Sequence, residues 1–93
     1  MAQMTKIRKW LDDNGIAYEY DGHITIYLER NCIWVNGFGE DMRYNKLIAV
    51  YQNTYSKYIV REITGYSMSH QIIYTSKQDS VIDALNTRLK GGK

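Results

Sequence analysis

A chain of 93 residues, 44% apolar and 24% charged, has room for one hydrophobic core, since two cores would each be too small to offset their ordering entropy. Twelve basic and ten acidic groups give a formal charge of +2, which argues against a dedicated duplex binder, and one cysteine excludes a disulfide framework and a cysteine-rich zinc site. No apolar run approaches the ~20 residues needed to cross a bilayer, and the first residues lack a signal-peptide pattern, so the expected location is cytoplasmic with no membrane partner.

The first predicted element is a helix over 5–14. Met4, Ile7, Trp10 and Leu11 form one apolar stripe, Thr5 is placed to cap the start, and Asn14-Gly15 supplies a left-handed stop. Ile16 is expected to close a Schellman turn against Leu11 and lead into the first strand. Residues 16–36 then predict a three-stranded meander. Asp21-Gly22 marks a tight hairpin between Ile16 to Tyr20 and His23 to Glu29, and Arg30-Asn31 is the expected second turn, into Cys32 to Asn36. With two-residue turns, Ala17, Ile24, Ile26, Leu28, Ile33 and Val35 share an aliphatic face. Tyr18, Tyr20, His23, Thr25, Tyr27 and Trp34 share an aromatic one.

Gly37 to Asp41 reads as a loop. Residues 42–52 fit either a helix or a strand, with a strand over 46–52 favoured by the β-rich Leu-Ile-Ala-Val-Tyr run. Asn53-Thr54-Tyr55-Ser56 predicts a turn into a strand over 57–64, Gly65 breaks the pattern, and His70 to Thr75 predicts the last strand, so 46–75 supplies the remaining strands. Ser76 with Asp79 suggests a capping box opening a helix over 77–90 that buries Val81, Ile82, Leu85 and Leu89, with Gly91-Gly92 as its end. The expected fold is therefore α+β: a single two-layer domain with a mostly antiparallel sheet of about five to six strands between an N-terminal and a C-terminal helix, in the order α-β-β-β-β-β-β-α.

Chemistry-bearing patterns are sparse. Cys32 could be drawn with His23 or His70 as a thiolate and base, but it sits in a strand with no oxyanion-hole loop behind it. The two histidines lack helical i, i+4 spacing or a third ligand. Glu40-Asp41 lies in a glycine-flanked loop without a phosphate-binding pattern. No catalytic residue, metal or cofactor is expected, and the chain reads as a non-enzymatic module.

Nine Tyr, two Trp and one Phe exceed what so small a core needs, which points to an exposed aromatic surface. The expected binding residues are Tyr18, Tyr20, His23, Tyr27, Arg30 and Trp34. The expected partner is a protein, a second copy of the chain included, reached through the aromatic face or a free strand edge. The alternative is single-stranded nucleic acid, with Tyr18, Tyr20, Tyr27 and Trp34 stacking bases and Arg30, Arg43 or Arg61 holding phosphates.

Overall fold

The sequence pattern of Met4 to Gly15 becomes α1, Thr5–Asp13, in a computed structural model that describes residues 4–90. Ile7 and Leu11 are buried and Trp10 packs at the margin of the core. The predicted Schellman turn is present. Gly15 has φ +66°, its N–H donates to the Asp12 carbonyl at 3.1 Å, and the Ile16 N–H donates to the Leu11 carbonyl at 2.9 Å. The start of the helix differs from expectation. Thr5 is its first helical residue, and Met4 holds the cap position in a left-handed conformation without a side-chain cap bond.

The missing cap is replaced from the other end of the chain. Gln78 opens α2, Gln78–Lys90, and its Oε1 accepts the Lys6 and Ile7 backbone N–H groups at 3.0 and 3.2 Å, two of the donors that a helix start leaves unsatisfied. The two helices lie side by side with like ends together. Lys6 Nζ meets Asp79 at the N-terminal ends, and Lys90 Nζ donates to Asn14 Oδ1 at 2.6 Å at the C-terminal ends. Ser76 is not the cap of α2, because β5 runs on through Thr75 and the helix starts only after Lys77; Thr75 Oγ1 accepts the Lys77 N–H at 3.2 Å. Gly91 and Gly92, the expected end of this helix, lie outside the described residues.

The strands are β1 (Glu19–Tyr20), β2 (Ile24–Val35), β3 (Asp41–Gln52), β4 (Tyr58–Gly65) and β5 (Met68–Thr75), all antiparallel and in sheet order β1-β2-β3-β4-β5. There are five strands rather than six because Arg30-Asn31 is not a turn. β2 passes straight through it as one 12-residue strand. Its register against β3 shifts between Tyr27 and Glu29 and again between Glu29 and Cys32, so the polar pair belongs to a bulged stretch. Asn31 takes the left-handed conformation there (φ +60°), and its N–H is satisfied by Asn45 Oδ1 across the ladder at 3.0 Å. The chain reverses instead at Asn36 to Glu40, and the ambiguous 42–52 segment is part of β3, which begins at Asp41.

The first hairpin forms where expected with a different register. Tyr20 pairs with Ile24 and Glu19 with Thr25, so the turn holds three residues, Asp21, Gly22 and His23. The β2-β3 and β3-β4 loops share one construction. Asn36 Oδ1 accepts the N–H groups of Phe38 and Glu40, and Asn53 Oδ1 accepts those of Tyr55 and Lys57. Each turn thereby lifts an aromatic ring at its third position into solvent.

Ladder partners share a face. Ile24, Val50, Val60 and Ile73 form one row, and Ile26, Ile48, Glu62 and His70 form the next. The helices cover this side, and Met4, Ile7, Leu11, Val81 and Leu85 close the core against Ile24, Ile26, Ile48, Val50 and Val60. Each fully buried aliphatic side chain contributes about 1.5–3 kcal/mol. The opposite face carries Tyr27, Leu47 and Ile63 in one row and Tyr51, Ile59 and Tyr74 in another, with no helix of the described residues over it.

Candidate interaction surface

β3 is longer than the strand it meets on its far side. Its pairing with β4 stops at Leu47 and Ile63, whereas its pairing with β2 continues to Val35 and Asp41. Residues 28–46 therefore form a two-stranded ribbon that leaves the helix-covered core, and none of them belongs to the core cluster. The molecule is correspondingly long, 46 × 29 × 23 Å.

The ribbon exposes large apolar side chains among its charged ones. Ile33 is 51%, Trp34 46% and Val35 57% exposed, and Phe38 at the tip is 90% exposed. Leu28 and, at the start of β5, Met68 are exposed as well. Trp34 lies flat on Tyr66, with ring centroids 5.3 Å apart and planes inclined by 2°, which ties the ribbon to the β4-β5 turn. Where β3 and β4 part, a groove of about 390 Å³ opens, with Leu47, Ile63 and Gly65 in its lining and Arg43 beside them.

The single aromatic face expected from sequence is not formed. The three-residue turn moves Tyr20 to the helix-covered side, where Tyr18 and Tyr20 pack against the core. Arg8 of α1 stacks over the Tyr20 ring at 4.0 Å. Hydrogen bonding to Tyr18 raises the Arg8 pKa above its already high ordinary value, so the guanidinium stays charged. Tyr27 stays on the open face, Trp34 is carried past two bulges onto the ribbon, and His23 sits in the turn with Nδ1 3.3 Å from Asp21. Leu28, Ile33 and Val35, expected on the aliphatic face with Ile24 and Ile26, are exposed because they lie on the ribbon beyond the helix-covered core.

Three of the six expected residues do converge. Tyr18, Tyr27 and Arg30 line a cleft of about 210 Å³ with Ala17 and Glu19. Its groups are already engaged with one another. The Arg30 guanidinium lies 3.8 Å over the Tyr27 ring and 3.9 Å from Glu19. A base could stack on Tyr27 only by displacing Arg30.

The Cys32 and histidine pairings considered from sequence are not assembled. Cys32 Sγ contacts the Glu29 carbonyl at 3.9 Å, while His23 faces Asp21 and His70 faces Glu62. Among the described residues no three His, Cys, Asp or Glu side chains gather as a metal site, and no helix is long and apolar enough to cross a membrane.

Ile33, Val35, Phe38, Tyr66 and Met68 were not among the binding residues expected from sequence. The available signal was Asn36-Gly37, a stronger turn former than Arg30-Asn31, flanked by β-rich runs on both sides. Comparison of the chain with family models, curated proteins and solved structures finds no match.

Proposed function

We propose that this protein is a non-catalytic binding module that acts by protein contact, with the β2-β3 ribbon as its contact surface and the open sheet face beside it. The observation that carries this reading is the run Ile33, Trp34, Val35 and Phe38, four large apolar side chains left exposed on one projecting element. Large apolar side chains gathered in the open on one element mark an interaction site. Aromatic residues set in an apolar patch are the side chains that dominate protein interfaces.

Charge argues against nucleic acid as the partner. Residues 28–46 carry Arg30, Arg43 and Lys46 against Glu29, Glu40 and Asp41, so the ribbon is neutral and offers no field to a phosphate backbone. Of the three arginines suggested as phosphate ligands, Arg30 is held by Tyr27 and Glu19, and Arg61 donates to Ser69.

The test is capture from native-cell extract by the wild-type chain and by Phe38→Ser and Trp34→Ser variants, with oligonucleotide anisotropy titrations at about 50 and 200 mM salt in parallel. The expected result is a protein retained by the wild type, released by either variant, and little affected by salt. Oligonucleotide binding that falls steeply with salt and disappears in Arg43→Glu would overturn the reading.

A further inference from the structure

β1 pairs with Ile24 and Thr25, so among the described residues no strand covers the outer edge of β2 from Ile26 to Val35. The first part of that edge is blunted. Both register shifts, the left-handed Asn31 and the charged pair Glu29-Arg30 fall between Tyr27 and Cys32, and bulges and charges are devices by which sheet edges resist pairing. Beyond them the protection ends. Cys32, Ile33, Trp34 and Val35 pair in regular register with Tyr44, Arg43, Met42 and Asp41, which leaves their outward backbone groups aligned for another strand. This segment holds no charge and no proline.

The segment also says what can lie beside it. Ile33 and Val35 project to one side of the ribbon and Cys32 and Trp34 to the other, so an added strand meets apolar side chains on both faces. It must itself be uncharged and apolar on both faces. Cys32 to Val35 meets that description, and a strand related to itself by a two-fold axis pairs antiparallel. The neutral ribbon, with three charges of each sign, brings no like-charge repulsion when two copies approach.

We infer that the partner of the ribbon is a second copy of this chain, joined by antiparallel pairing of the Cys32 to Val35 edges across a two-fold axis, with Ile33, Trp34, Val35 and Phe38 packing around the added ladder. The inference rests on the contact-surface reading above and names its occupant.

Sedimentation equilibrium of the full chain over about 1–300 μM tests it, a range that brackets the micromolar dissociation constants of modest interfaces. The expected result is a mass rising to twice the 10.9 kDa of one chain. An Ile33→Lys, Val35→Lys variant should stay monomeric throughout with an unchanged circular dichroism spectrum, and a Tyr55→Lys control at the opposite end of the sheet should dimerise as the wild type does. A wild-type chain that remains monomeric at the top of the range overturns the self-pairing, as does a dimer that survives the double lysine variant. A monomer whose extract capture still depends on Phe38 and Trp34 would sink this inference alone and leave the contact surface standing.

Discussion

Glu62 shows how one residue constrains the core. It is the charged side chain buried in the helix-covered face among the described residues, 5% exposed, and its Oε1 is hydrogen-bonded by Arg88 of α2, with His70 Nε2 3.8 Å away. Without a partner, such a carboxylate retains its desolvation cost and loses the hydrogen bond that offsets it. Arg88 is half-exposed, so water can reach part of the gap it leaves. Arg88→Met is therefore expected to lower stability by about 1.5–3 kcal/mol, the range for a hydrogen bond to a charged group, in urea denaturation. Adding Glu62→Leu should restore much of the loss, because no charge then remains to be desolvated. An Arg88→Met midpoint equal to wild type would show that the carboxylate is hydrated in solution. None of this was legible in the sequence. In Val60-Arg61-Glu62-Ile63 the two charged neighbours look alike, and only the β3 register decides that Glu62 faces the core while Arg61 faces the open side.

At the scale of elements, the parts specified by neighbouring residues were readable and those specified from afar were not. The end of α1 could be read because Leu11, Gly15 and Ile16 are close in sequence and their spacing determines the turn. Its start could not, since the acceptor for its free N–H groups is Gln78, more than seventy residues away. The same contrast divides the strands. Asn53 sets its own turn through Oδ1, as expected, whereas Arg30-Asn31 becomes a bulge because Asn45 of the opposing strand takes up the Asn31 N–H. Gln78→Ala should cost about 1 kcal/mol, the usual loss for a helix cap, since it strips two donors of α1 and unlinks the helices. Gln78→Glu keeps the acceptor and places negative charge near both helix N-termini, so it should be at least as stable as wild type. Chemical denaturation of the two variants decides the point. Equal losses in both would mean that Gln78 acts through packing rather than through its acceptor oxygen.

For the whole molecule, the core and the projecting ribbon are separate regions, and the proposed function assigns contact to the ribbon. The Cα radius of gyration is 14.5 Å, against roughly 12 Å for a compact domain of this length, and the excess belongs to the ribbon that carries no core residue. The division is open to direct test, because Tyr27 and Leu47 are ladder partners at the root of the ribbon. Replacing residues 28–46 with an Asn-Gly dipeptide would join them by a two-residue turn of the type that suits a tight hairpin. The helices, the core rows and the β3-β4-β5 pairing do not pass through the excised segment, so the shortened chain should fold cooperatively. The Trp34 and Tyr66 stack is the main packing contact removed, which limits the expected loss to about 0.5–1.5 kcal/mol. Thermal denaturation measures that loss, while sedimentation and extract capture measure contact, which should vanish. A shortened chain that unfolds would make the ribbon part of the folding unit. One that folds and still binds would move the contact surface to the open sheet face, where Leu47, Ile63, Tyr51, Ile59 and Tyr74 remain.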